Sequence, residues 1–160
     1  MVGETINDYK QKIMMKLIED EELLKALVNT ESDFLANPLP IYPEETVYNY
    51  IFPYMNTKDI ITETKSFITM EFKDFRSVNG NFFSSGEVVF YIICHANLIR
   101  TDYGNRYDYI LEKIKNAYHG TKFLGIGKTV VTKWGDLSFK EDYFGCYCTV
   151  KVYDFNFKQV

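Results

Sequence analysis

The sequence predicts a single α+β domain, with a mostly antiparallel four-stranded sheet flanked by helices. Three observations support this fold class. The chain has 160 residues, 46% of them hydrophobic, which is enough for one substantial core. Apolar residues recur at helical spacing in two regions, and alternate or run continuously in the stretches between and after them. The resulting order of helix, linker, two strands, helix and two strands is typical of an antiparallel sheet packed on helices.

The first part of the chain, residues 5–29, is predicted to be helical. Its first apolar stripe consists of Ile6, Tyr9, Ile13 and Leu17. Thr5 can cap the start of this helix, with Asp8 three residues later. An acidic run at 19–22 then interrupts the stripe, and Asp20 is suited to cap a second helix. The sequence leaves open whether this region is one bent helix or two.

Residues 30–61 are predicted to be an irregular linker. The stretch "ANPLPIYP" at 36–43 holds three prolines and favours an extended connector, followed by a short helix over 44–50. So long a loop in a small domain often has a function. It either wraps a neighbouring subunit or covers the sheet.

Residues 62–157 are predicted to contain the sheet and a further helix. Alternation from Phe67 indicates a first strand, 77–86 has the composition of a loop or hairpin tip, and 87–99 is apolar on both faces, as in a central strand. A helix follows and ends near Gly120. A strand over 123–133, a turn at 134–136 and a strand over 143–155 complete the order, with Cys146, Cys148, Val150 and Val152 on one face.

The stretch "FLGIGKTVV" at 123–131 contains the Gly-Lys-Thr that ends many phosphate-binding loops. That loop needs a glycine five residues before Gly127, where this chain has Lys122. It also needs a helix afterwards, whereas the β-branched run from Thr129 favours a strand. We therefore expect a glycine-rich start to a strand and no bound cofactor.

Cys94, His95, Cys146 and Cys148 are the strongest metal candidates. Adjacent residues on a strand point to opposite faces, and structural zinc pairs usually have two to four residues between their cysteines. We expect these cysteines to be buried, free and small hydrophobic residues, with no metal bound. An odd number of cysteines at low density favours a reducing compartment.

Charge is divided unevenly along the chain. Residues 1–59 carry 11 acidic and 5 basic side chains, a balance of −6, and residues 60–160 carry 11 acidic and 13 basic ones, a balance of +2. Such asymmetry suits head-to-tail packing of identical subunits, and equally suits one solvated acidic helix. The net charge of −4 argues against a general nucleic-acid binder, and no apolar run is long enough to span a membrane.

Aromatic residues make up 17% of the chain, and several fall in the two irregular segments, 36–56 and 77–86. Exposed aromatic clusters are typical of contact surfaces. We therefore predict an interface that includes Tyr42, Tyr48, Phe52, Tyr54, Phe82 and Phe83.

Three strings carry a family resemblance: "LIEDEELLKALVN" at 17–29, "IFPY" at 51–54 and "LIRTDYGNRYDYILEKI" at 98–114. They look like small proteins from the head–tail joining region of tailed bacteriophages, and the element order resembles that of tail terminator proteins. The resemblance implies a terminator-like α/β sandwich that assembles into a ring, a hexamer in that family. Its expected partners are the tail tube protein and the head-side connector or stopper. Its expected location is the virion neck or tail, after assembly in the host cytoplasm, with DNA passing through the lumen without specific binding.

That family has no motif with an assigned chemical role, so the resemblance implies a structural protein that is not an enzyme. The alternative hypothesis is a small cytosolic enzyme or ligand-binding domain with a site near His95. The structural hypothesis predicts assembly through the loop aromatic residues. The alternative predicts a pocket beside the histidine.

Overall fold

The computed structural model describes residues 5–56, 63–78, 83–123 and 126–155. Its helices are α1 (Ile6–Ile18), α2 (Glu21–Val28) and α3 (Arg106–Tyr118). Its strands are β1 (Ile51–Phe52), β2 (Ser66–Val78), β3 (Phe83–His95), β4 (Arg100–Thr101), β5 (Gly104–Asn105), β6 (Thr121–Phe123), β7 (Ile126–Lys140) and β8 (Tyr143–Phe155).

The main sheet has six strands in the order β1-β2-β3-β8-β7-β6, and β4 and β5 form a separate ribbon. Strand β1 runs parallel to β2, and every other pair in the main sheet is antiparallel. The α+β class is confirmed, but the expected four-stranded sheet is wrong in its count. The four long strands are those the sequence predicts. The two additional edge strands have only two and three residues, too few to show an apolar pattern.

The N-terminal region forms two helices, which settles the alternative that the sequence left open. The Thr5 hydroxyl accepts from the Asp8 amide, and the Asp8 carboxylate accepts from the Thr5 amide at 2.9 Å, which completes the predicted capping box. The Asp20 carboxylate accepts from the Leu23 amide at 3.1 Å and caps α2 as predicted. Glu19 ends α1, and Asp20, whose backbone is extended, caps the start of α2. Only these two residues separate the helices.

The helices cover one face of the sheet. The main core joins the apolar stripes of all three helices to the facing side chains of the strands, including Ile68, Met70, Val88, Phe90, Ile92, Cys146, Cys148, Val150 and Val152. These positions alternate along β2, β3 and β8, as the two-residue period of a strand requires. A smaller cluster on the opposite face contains Phe52, Phe67, Ile93 and Tyr143.

The two predicted turns differ in their outcome. Strand β2 continues to Val78 and β3 begins at Phe83, so the ends of the expected loop or hairpin tip over 77–86 are antiparallel strand, while 79–82 lie outside the described residues. The expected turn at 134–136 lies inside β7, and the chain turns instead at Glu141 and Asp142, the latter with a φ of 74°. Gly135 pairs with Tyr147, whose ring lies 3.0 Å from where a Cβ would be, so this glycine admits a neighbouring ring and does not form a turn.

The linker is more ordered than the sequence predicts. The short helix expected over 44–50 is only a 3₁₀ turn, Pro43–Thr46, and the chain then folds back through Tyr48, whose φ is 64°. The Tyr48 amide donates to the Ile51 carbonyl at 2.9 Å, and β1 follows at once. The linker therefore ends by adding an edge to the sheet.

A buried arginine at the start of α3 joins that helix to α2. The Arg106 side chain is 1% exposed, and its guanidinium donates five hydrogen bonds, all to backbone carbonyls. The acceptors are Leu98, Ala26, Asn29, Thr30 and Glu31, at 2.7 to 3.3 Å. Several of these carbonyls lie at the C-terminal end of α2, where the helix leaves acceptors unpaired and favours a cation.

We predict that Arg106→Met destabilises the fold by at least about 3 kcal/mol, because it leaves buried carbonyls without donors. Urea unfolding followed by circular dichroism measures the loss. Arg100→Met, at an exposed position, is the matched control and should change stability by less than about 0.5 kcal/mol. Similar unfolding curves for the two variants would show that the guanidinium is not the link we describe.

Candidate subunit interface

The predicted interface residues divide into exposed and buried groups. Tyr42 is 74% exposed, Tyr48 51% and Tyr54 50%, so three of them lie on the surface. Phe52 is 4% exposed and packs edge-on against Phe67, so in this chain it is not one of the exposed aromatic residues that the interface prediction assumed. Its position on β1 places its side chain in the smaller core. Phe82 lies outside the described residues, and only the backbone of Phe83 is described.

The exposed tyrosines stand on a well-anchored segment. The Thr69 hydroxyl donates to the Tyr54 carbonyl at 2.8 Å, and the Lys65 ammonium donates to the Asn49 carbonyl at 2.7 Å. The rings of Tyr48 and Tyr54 have centroids 6.5 Å apart. We call Tyr42, Glu44, Glu45, Tyr48 and Tyr54 the connector edge, since all five side chains are exposed on the segment that leads into and out of β1. Glu44 and Glu45 lie on the 3₁₀ turn, which packs against α1 and α2.

A second exposed surface lies near the opposite edge of the sheet, on β7. Trp134 is 51% exposed, and the Lys115 ammonium lies 3.8 Å from the centre of its ring. Lys133 and Lys140 are exposed on the same strand. Beyond the four residues nearest its start, no strand pairs with the outer side of β7 among the described residues, although the Val131 amide donates to His119 Nδ1 at 3.2 Å. We call Lys133, Trp134 and Lys140, with this unpaired backbone, the lysine edge.

The sequence pattern missed half of this arrangement. Trp134 was assigned to a turn and Glu44 and Glu45 to a helix, and none of them was among the predicted interface residues. The signal available was the run of lysines in the third long strand, which the usual pattern explains as a solvated face. Only the strand order reveals that β1, next to the connector edge, and β7, which carries the lysines, lie toward opposite edges of the sheet.

His95, the centre of the alternative hypothesis, has a local structural role. Its Nδ1 accepts from the Asn97 amide at 3.1 Å and so caps a 3₁₀ turn, and its ring packs edge-on against Tyr143. The Cys94 thiol is held by the Ser66 hydroxyl at 3.2 Å. These contacts explain the histidine without a ligand, and no described neighbour pairs with it as a nucleophile.

The three cysteines are buried and free, as expected. Burial raises the pKa of each thiol, to about 12 for Cys148, because the apolar core disfavours the thiolate. Within the described ranges, no three His, Cys, Asp or Glu side chains lie close enough together to hold a metal ion. Thiols in this state pack as small apolar groups.

The Gly-Lys-Thr stretch lies on a strand, as the sequence predicts. The Thr129 hydroxyl is buried and bonds to the carbonyls of Tyr118 and Thr121, which fastens β7 to the end of α3. Lys128 is exposed beside it. Because that hydroxyl is already used inside the fold, it is not available to a phosphate.

Among the helices of the described residues, none is long and apolar enough to cross a bilayer.

We predict that stability falls as the pH rises above about 8.5, the usual pKa of an unfolded thiol. The folded state keeps its thiols protonated while the unfolded state loses protons, so each thiol contributes a slope of about 1.4 kcal/mol per pH unit. Urea unfolding between pH 7 and 10 measures this slope. Cys148→Ala should be less stable than the wild type at neutral pH and should show a shallower decline. Equal slopes would mean that the thiol ionises freely in the fold.

The family to which the chain is similar is found by comparison with family models. The model of the YomW family matches residues 20–152, from the cap of α2 into the last strand, β8. The family is named for a gene product of a Bacillus phage and is phage-associated, without a specific role. No curated protein matches the chain. Since the match covers most of the sequence, the chain belongs to the YomW family.

Proposed function

We propose that this chain is a structural, non-enzymatic subunit of a ring in the neck or tail of a phage particle. In this role it caps the tail tube and joins it to the head-side connector or stopper, as a tail terminator does. The observation that carries the proposal is the placement of exposed aromatic side chains at both edges of one sheet, in a member of a phage-associated family.

The placement of the surfaces supports a ring over an isolated subunit. A ring requires two different surfaces on each copy, because every subunit contacts one neighbour on each side. The connector edge and the lysine edge are two such surfaces, and each carries at least one half-exposed large aromatic residue, the residue type enriched at protein contacts.

The proposed partners follow from position in the particle. The ring contacts the tail tube protein on one side and the head-side protein on the other, and DNA passes through its lumen. The absence of a catalytic set among the described residues is compatible with this role, as is the net charge of −4, which does not favour tight DNA binding. The subunit number is six if the ring follows the tail terminators.

We predict ring density of this fold between connector and tail tube in cryo-electron micrographs of the phage that encodes the chain. The symmetry of that density gives the subunit number, for which we expect six. Mass spectrometry of purified particles provides the check on composition. If the chain is missing from mature particles, the proposed role is wrong.

We also predict that Tyr42→Ser and Trp134→Ser each lower the amount of chain built into particles. Both side chains are at least half exposed, so stability should change by less than about 0.5 to 1 kcal/mol. Quantitative immunoblotting of purified particles and thermal unfolding of the purified chain measure the two effects separately. Tyr103→Ser, at an exposed tyrosine away from both edges, is the control and should leave incorporation unchanged. Normal incorporation of both edge variants would contradict the interface.

A further inference from the structure

We infer that copies of this chain join head to tail, with the lysine edge of one copy docked on the connector edge of the next. The inference rests on the proposed ring and specifies the two surfaces that close it. It follows from four observations: the level of each surface along the strands, the outlines of the two edges, the direction of the strands, and the charges that the surfaces carry.

The two surfaces lie at the same level of the sheet. Ile51 of β1 pairs with Ile68, which pairs in turn with Ile92, Cys146 and Asp136 across the sheet. The next row runs from Phe52 to Gly135 in the same way. Continuing in the same direction, Trp134 and Lys133 come next on β7, and Tyr54 comes shortly after Phe52 on the connector edge. The three residues therefore lie at a similar level of the sheet. Side-by-side copies in one orientation bring these groups together.

The two edges have complementary outlines. Strand β1 covers β2 only at Ile68 and Thr69, near its start, and leaves its outer side open from Met70 onward among the described residues. Strand β6 pairs with β7 only up to Thr129, near the start of β7. The Val131 amide then donates to His119 Nδ1 at 3.2 Å, and no strand pairs with the outer side of β7 beyond it among the described residues. Because β2 and β7 run in opposite directions, the short strands β1 and β6 that cover their starts lie at opposite ends of the sheet.

Strand direction is also compatible with this contact. The order β2-β3-β8-β7 has four strands that alternate in direction, so β7 runs antiparallel to both β2 and the parallel β1. A neighbour in the same orientation therefore faces β7 with an edge that runs antiparallel to it. The outer side of β1 already accepts from the Tyr48 amide at Ile51, so the two copies meet through side chains and not by pairing these strands. An odd number of alternating strands would present the two edges in parallel.

The connector edge carries two exposed glutamates, and the lysine edge carries two exposed lysines with one exposed carboxylate, Asp136, between them on β7. Glu44 and Glu45 on the connector edge, and Lys133 and Lys140 on the lysine edge, form no ion pair with another described residue. Docking the edges brings acidic and basic pairs together. A twofold contact of two lysine edges would instead oppose like charges, which is unfavourable at an interface.

Charge reversal tests the inference in particles of the encoding phage. Glu44→Lys/Glu45→Lys, and separately Lys133→Glu/Lys140→Glu, should each reduce the chain per particle by at least about tenfold, because they set like charges against each other. Combining all four substitutions restores opposite charges and should recover most of the incorporation. Glu19→Lys/Asp102→Lys is the control for the acidic pair, at exposed sites on neither edge, and should incorporate normally.

The outcomes separate this inference from the proposed ring. Loss in each double variant with recovery in the combined variant supports the docked edges. Normal incorporation of either double variant, or loss without recovery, overturns the docking and leaves the ring standing if the wild-type chain is in the particle. Absence of the wild-type chain from particles overturns both.

Discussion

The fold depends on one buried guanidinium that is satisfied entirely by backbone. Arg106 bonds to five carbonyls, and the nearest in sequence, Leu98, is already eight residues away. The acceptors at the end of α2 are 75 to 80 residues away. A buried cation without a carboxylate partner is costly, and it is tolerated here because each of its five donors has an acceptor. The centre of the buried Phe34 ring lies 5.0 Å from the guanidinium carbon of Arg106, and this ring helps to separate the guanidinium from solvent.

This anchor determines which surfaces of the sheet remain for other contacts. Because it holds α2 against α3, the helices form one layer on one face, and the opposite face must be completed by the strands themselves. Tyr91 donates to Glu71 at 2.7 Å there, and burial followed by that bond raises the tyrosine pKa to about 12. Lys73 pairs with the same carboxylate at 3.2 Å. Glu71 is therefore bonded to one residue of a neighbouring strand and one of its own strand on that face.

The sequence correctly predicted those features that depend on residues close together in the chain. The Thr5 capping box, the Asp20 cap and the buried face of β8 were each specified within a few residues, and the structure confirms them. Gly120 has the positive φ expected of a residue just after a helix. Each of these features depends on contacts inside one turn or one strand.

The features that sequence reasoning missed depend on distant partners. Nothing adjacent to Arg106 marks it as buried, because its acceptors belong to another helix. Strand β1 exists because β2 passes beside it, and two residues carry no period. Phe52 and Trp134 differ from their predictions for the same reason: pairing with β2 buries Phe52, and pairing with β8 places Trp134 inside a strand where a turn was expected. Tertiary pairing overrides turn propensity at Gly135, where a cross-strand ring uses the missing side chain.

The lysine edge has the devices by which proteins prevent unwanted strand pairing. Register shifts follow Val131 and Ser138, and lysines stand at Lys133 and Lys140. Bulges and lysines on an edge oppose simple continuation of a sheet by any chance partner. They do not oppose a partner that brings carboxylates to those positions. The connector edge brings two, beside a short strand that requires little matching of register. The features that keep this edge from aggregating are thus the same ones that would select an identical neighbour, and they would do so in one orientation only.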